Sequence, residues 1–215
     1  MSADPVQLFG GAALQDPVVK DILGVAMTEF AKFGLAGARV DAIAAQTKTS
    51  KRMIYYHFGS KEKLYEAVLE YAFKSIRRDG EAAEFDTMAP LAALRALAGH
   101  VFDIHADNPD FVHLVMQENL RDAFSLKNSA TIPDVNAIGL ALVQKLLARG
   151  QAAGVFRHDI SALDLYTNMV GLSFHYVSNR QSFAANFRLD PNSTELLLAR
   201  RKAIVDSVTR YVQLG

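Results

Sequence analysis

Prolines at positions 17, 90, 109, 133 and 191 each open a stretch whose apolar residues recur at three- and four-residue spacing, and glycines at 34, 59, 80, 150 and 154 fall where such stretches stop. Proline suits a first helical position because its missing N–H has no intrahelical acceptor to lose. Glycine closes helices because it enters the left-handed turn at low cost. No Asn-Gly or Asp-Gly pair joins two alternating apolar runs, and Asp79-Gly80 follows a helical stretch instead. This punctuation confines the chain to an all-α fold. The spacing predicts helices over Pro17 to Phe33, Val40 to Gln46, Lys51 to Phe58, Lys61 to Arg78 and Pro90 to His105. Further helices are predicted over Pro109 to Ala123, Pro133 to Ala153, Ser161 to Phe183 and Pro191 to Val212. In the first, Ile22, Val25, Ala26, Phe30 and Phe33 form one apolar stripe. Residues 1–15 and 125–131 lack a period and are expected to be mobile.

Several chemistries are excluded by what the chain does not contain. It has no cysteine, hence no disulfide, thiolate metal site or cysteine nucleophile. Its six histidines include no pair at i, i+4, and no G-x-S-x-G, Walker or G-x-G-x-x-G motif occurs. No catalytic residue, no metal site and no cofactor are expected. His100 and Asp103, one turn apart, read as a surface pair. The longest uncharged apolar stretch, Leu165 to Asn179, contains Asn168, Ser173 and His175 and is too short to span a bilayer, so no membrane partner is expected. The first basic residue is Lys20, unlike a signal peptide with its charged leader, and a soluble cytoplasmic protein is expected.

Charge is neutral overall but unevenly placed. Between Gln46 and Lys63 the basic residues Lys48, Lys51, Arg52, Lys61 and Lys63 face a single acid, Glu62. This island sits on two short helices joined by Thr47-Lys48-Thr49, with Ser50 as N-cap of the second, which is the helix-turn-helix arrangement. Ile54 and Phe58 anchor the second helix to a core, leaving Lys51, Arg52, Met53, Tyr55 and Tyr56 to point elsewhere. Large and charged residues on a two-turn helix add little core stability. They make sense if the helix enters a major groove, with guanidinium or ammonium groups at guanine edges and hydroxyls at phosphates. The next helix begins at Ser60 and Lys61, where free amides and the dipole favour a phosphate. The alternative is an ordinary amphipathic helix with solvated charges.

Ala26, Phe30, Gly34, Ile43-Ala44, Ser50, Tyr55-Tyr56-His57-Phe58, Ser60-Lys61-Glu62 and Leu64 together resemble the N-terminal DNA-binding domain of the TetR family of bacterial transcriptional regulators. The resemblance covers Ile22 to Leu69. It implies DNA contacts by Arg39, Thr49, Ser50, Lys51, Arg52, Met53, Tyr55, Tyr56 and His57, with Lys61 on the phosphate backbone; Lys48, in a turn that departs from the family's, is expected to add a phosphate contact. Where the family often carries Ala-Gly-Val in the turn, this chain has Thr47-Lys48-Thr49. Where it often carries Thr or Ser before the second helix, this chain has Ala38 and Arg39. The resemblance also implies a larger C-terminal bundle that binds a small effector and forms a homodimer, and around Glu118-Asn119-Leu120 the chain loosely resembles regulators of nitrogen-heterocycle breakdown.

Polar groups isolated in apolar stretches mark the expected effector pocket: Phe102, His105, Phe111, His113, Met116, Asn119, Phe124, Asn168, Met169, Leu172, His175 and Tyr176. Each is alternatively plain core. Arg121 or Arg180 is a candidate for an effector carboxylate, a surface salt bridge being the plainer reading. The helix from Ser161 is apolar on more than one side. Its Leu165, Val170, Phe174 and Val177, with Leu196, Leu197, Ile204 and Val208 of the last helix, are expected to form a four-helix interface across a two-fold axis, unless that helix is simply central to a monomer.

The expected organisation is a tail (1–15), a DNA-binding domain (16–62) and an effector and dimerisation domain (63–215). The expected function is a ligand-responsive repressor, with a double-stranded DNA operator and a small-molecule effector as partners. If Lys51, Lys61 and one further base per subunit touch phosphates, a dimer neutralises about six, giving a salt slope near −5. The rival is an all-α small-molecule-binding protein or enzyme whose basic segment meets a partner other than DNA.

Overall fold

The computed structural model describes residues 16–76 and 81–213; the tail 1–15, Arg78 and Gly80 lie outside the described residues. Every regular element among the described residues is a helix. They are α1 (Pro17–Gly37), α2 (Val40–Gln46), α3 (Lys51–Phe58), α4 (Lys61–Ser75), α5 (Glu81–Asp86), α6 (Pro90–Asp107), α7 (Pro109–Asn119), α8 (Phe124–Asn128), α9 (Ile132–Ala152), α10 (Ala162–Phe187) and α11 (Thr194–Val212). They pack as two units. The first holds the described residues up to Ser75 together with His113–Ile132, and the second holds Ile76–Val112 and the chain from Pro133 onward.

In the first unit α1 starts where the Asp16 carboxylate accepts the Val18 N–H at 2.8 Å, with proline in the first turn. Its Ile22, Leu23, Ala26 and Phe30 are fully buried, and the Phe30 ring meets Tyr65 of α4 edge to face at 5.0 Å. Burying Ile22, Leu23 and Phe30 contributes about 1.5–3 kcal/mol each. That is comparable to a domain's whole net stability, so α2 and α3 depend on the α1–α4 pair for a platform. The α1 stripe ends a turn earlier than the spacing predicts. Phe33 is 47% exposed beneath the Lys32 ammonium, next to Gly34, whose φ of 64° interrupts the helix.

The segment after α7 departs from expectation. The helix predicted through Ala123 stops at Asn119, because Asp122 and Ala123 take left-handed φ values of 56° and 54°. The stretch 125–131, expected to be mobile, instead begins within α8. There the buried Glu118 carboxylate accepts the Ser125 N–H at 2.8 Å and the Leu126 N–H at 3.3 Å, and pairs with Arg121 at 2.7 Å. Arg121 therefore has a partner within the chain.

In the second unit α6, α10 and α11 close around Leu94, Leu97, Phe102, Leu165, Met169, Ile204 and Val208. Asp103, which the spacing suggested for His100, accepts two N–H groups of Arg201, both at 2.8 Å. The short α5, which no sequence signal announced, is held by Phe85 in the core and by Arg149 donating to the Phe85 carbonyl at 3.0 Å.

Candidate nucleic-acid interface

The helix-turn-helix is fixed from α1 by two carboxylates. Glu29, 9% exposed, accepts the Arg39 N–H at 3.0 Å, satisfying a free amide at the start of α2. Asp21 accepts the Lys48 N–H at 3.0 Å, tying the turn itself to α1. Sequence reasoning missed both. The signal was available for Glu29: an acid among the apolar positions of α1, beside Phe30, needs a partner when buried. These bonds hold the Thr47-Lys48-Thr49 turn although its residues depart from the family's habit.

Ser50 caps α3 by accepting the Met53 N–H at 3.3 Å. Ile54 and Phe58 are buried at 1% and 3%, while Lys51, Arg52, Met53, Tyr55 and Tyr56 are exposed, Tyr56 most at 73%. His57 is half-buried, its ring 5.5 Å from that of Tyr56. Arg39 and Lys48 are exposed and Thr49 is half-buried at the two ends of α2 and the turn, so these residues lie on the same helix-turn-helix. Replacing Ser50 by alanine is expected to cost about 1 kcal/mol, read as a lower denaturation midpoint in urea.

Two cations are already engaged. Lys51 Nζ lies 2.9 Å from Asp41, whose hydrogen bond and charge hold the ammonium above its ordinary range, so it stays protonated. Lys61 Nζ donates to the Ala36 and Ala38 carbonyls at 3.2 and 2.9 Å, closing the end of α1. Two of the three N–H groups of Lys61, expected at a phosphate, are taken up by these carbonyls. Its carbonyl partners sit 23 and 25 residues away in sequence, beyond the reach of spacing arguments.

Two family models match the chain: "Bacterial regulatory proteins, tetR family" over residues 22–68 and "Tetracyclin repressor-like, C-terminal domain" over residues 90–208. The chain is 32% identical over 189 residues to the HTH-type transcriptional repressor NicS of Pseudomonas putida, covering 88% of this chain and 86% of the relative. The chain belongs to the TetR family. Its members are transcriptional regulators and not enzymes, and this TetR-family chain is a DNA-binding transcriptional regulator. The SCO4942 regulator of Streptomyces coelicolor has the same fold, with 28% identity and a TM-score of 0.66 over 91% of this chain and 98% of that one. The KstR2 regulator of Mycobacterium tuberculosis shares the fold at 21% identity and a TM-score of 0.68, over 92% and 95% of the two chains. No described helix is long and apolar enough to cross a membrane.

Elsewhere in this TetR-family chain the candidate residues divide. His113, Asn119 and Phe124 are exposed and, with half-buried Met116, belong to the first unit. Phe102, His105, Phe111, Asn168, Met169, Leu172, His175 and Tyr176 belong to the second. There His105 is enclosed by Phe111 and Phe174, with ring centroids 6.3 and 5.8 Å away, and Phe102 meets Tyr176 at 5.9 Å. His175 is exposed beside Phe183. The structure thus does not bring the twelve effector candidates into one packing unit.

The expected dimer residues divide as well. Leu165, Val177, Ile204 and Val208 are buried at 0–5% within the protomer, Leu165, Ile204 and Val208 in its core cluster, so they have no surface left to offer a partner. Apolar periodicity marks burial without saying against what. Val170, Phe174 and Leu197 are half-buried and Leu196 is 36% exposed. Leu163, Phe183, Phe187 and Leu198, not singled out by the sequence, are exposed on the same two helices.

Proposed function

We propose that this chain is a ligand-responsive repressor that binds a near-palindromic operator as a homodimer. The observation that carries the reading is α3, anchored by Ile54 and Phe58 alone and presenting Arg52, Met53, Tyr55 and Tyr56 outward. Arg52 reads base edges; Arg39, Lys48 and the tyrosine hydroxyls meet phosphates, with Thr49, Ser50 and His57 at the margins and Lys51 held at the helix start by Asp41. The functional division proposed is a DNA-binding domain through residue 62 and an effector and dimerisation domain beyond it. Dimerisation rests on α10 and α11, where Leu196, Leu198 and Phe187 stay uncovered. Two α3 helices spaced roughly 34–36 Å apart would then read successive major grooves. The effector is taken by the second unit, whose aromatic cluster around His105 sets a polar group among apolar walls. An effector that prefers one spacing of the two heads changes operator affinity by its differential affinity for the two states.

Selection of bound sequences from random duplex DNA tests the reading, with a palindrome of half-sites one helical turn or a multiple apart as the expected product. With Arg39 and Lys48 as the bases at phosphates in each subunit, a dimer neutralises about four and log K falls against log salt with a slope near −4. A slope near zero removes DNA contact by this segment.

A further inference from the structure

The first unit contains a cavity of about 420 Å³ that none of the residues assigned to DNA, effector or dimer lines. Its volume falls within the range of small-molecule sites, roughly 300–1,000 Å³. One wall is a single stripe of α4, with Lys63, Glu66, Ala67 and Glu70 at the spacings that place side chains on one helix face. The buried side chains Phe58, Leu69 and Ile132 supply apolar contact, and residues from Ser125 to Ile132 form a second wall.

The polar groups at the cavity are not all satisfied. Lys63 Nζ and Glu66 lie 2.9 Å apart and neutralise one another. Glu70 Oε1 accepts the Ser129 hydroxyl at 3.0 Å; Oε2 accepts no hydrogen bond among the described residues and is held only by a long ion pair with Lys74 Nζ at 4.0 Å. Ser125 is 6% exposed; its N–H is taken by Glu118, and its hydroxyl makes no hydrogen bond among the described residues. The carboxylate oxygen and the hydroxyl, beside apolar side chains, each keep the capacity for a further hydrogen bond. A charged donor takes up the carboxylate oxygen in a charge-assisted bond, stronger than its stretched pairing with Lys74. An anion would have to take Lys63 from Glu66 and then sit beside Glu70. A purely apolar molecule would leave the two oxygens as they are.

We infer that this cavity is a binding site for a small organic cation, a protonated amine on an apolar body, with the ammonium at Glu70 and the body against Phe58, Leu69 and Ile132. The site is separate from the effector site proposed in the second unit. Phe58 ends α3 and Gly59 is its cap, so an occupant holds the corner from which α3 projects.

The test uses the full chain and three probes of one shape: 1-naphthylmethylamine, 1-naphthalenemethanol and 1-naphthoate, followed by calorimetry and by amide NMR. The amine is expected to saturate, to shift the amides of Gly59, Ser125 and Ser129, and to bind at least about tenfold more tightly than naphthoate. Glu70→Gln, which keeps an oxygen for Ser129, is expected to weaken the amine about tenfold, to the level of the alcohol. Ala130→Trp, placed at an exposed position on the rim, is expected to block all three probes. The proposal is overturned if no probe saturates by about 5 mM, if naphthoate binds as well as the amine, if Glu70→Gln leaves the amine unaffected, or if the shifts cluster away from these residues.

Discussion

Replacing Arg52 and Tyr55 together by alanine is expected to lower operator affinity roughly a thousandfold while leaving folding intact. A base or phosphate contact of this kind is worth about 1 kcal/mol or more. The double change removes two contacts in each subunit of a dimer, about 4 kcal/mol in all, and each 1.4 kcal/mol is tenfold. Both side chains are exposed, so stability should stay within about 0.5 kcal/mol per substitution. Lys51 is deliberately spared, because its removal would strip Asp41 of its partner and confound DNA affinity with the local field at the start of α3. The measurement is a titration of labelled operator at fixed salt beside a urea denaturation of the same variant. Unchanged DNA affinity would transfer the basic segment to a partner of another class, the rival raised by the sequence.

That experiment probes the part of the molecule most legible in the sequence. The Pro and Gly punctuation placed nine of the helices because each signal acts within one turn of chain, and the α3 anchors Ile54 and Phe58 follow from a four-residue spacing. What the sequence concealed are relations between distant residues. Lys61 at the α1 carbonyls, Asp21 at the turn and Arg201 on Asp103 each join groups far apart in the chain, and nothing in a local pattern distinguishes such a cation from one waiting for a phosphate. The dimer candidates divide for a related reason. Leu165, Ile204 and Val208 satisfy an apolar period equally well against their own bundle or a second copy. The left-handed pair Asp122 and Ala123 also left no trace, since neither is a glycine and the turn is enforced by Glu118 accepting the amides that follow.

A core position offers the largest expected effect on stability. A Cβ added to Gly150 in α9 would overlap Phe156 Cδ2 and Cε2, far inside contact distance. Phe156 has little room to retreat. It is fully buried, and its own N–H and that of Val155 both donate to the Gly150 carbonyl, at 3.2 and 3.0 Å. The next amide, Arg157, donates to Val212 at 2.9 Å, so the backbone on the far side is held too. Gly150→Ala should therefore destabilise by at least about 3 kcal/mol, the upper end of what overpacking costs, despite a helix-propensity gain near 1 kcal/mol. Phe156→Ala alone should cost about 3–5 kcal/mol through the cavity it leaves. In the double variant the added methyl meets no ring, so the two losses should fall short of additive by at least about 2 kcal/mol. Urea denaturation of the four proteins closes the cycle. Strict additivity would mean that Phe156 swings clear of Gly150 without cost, and the packing of α9 against the 155–157 turn would have to be redrawn.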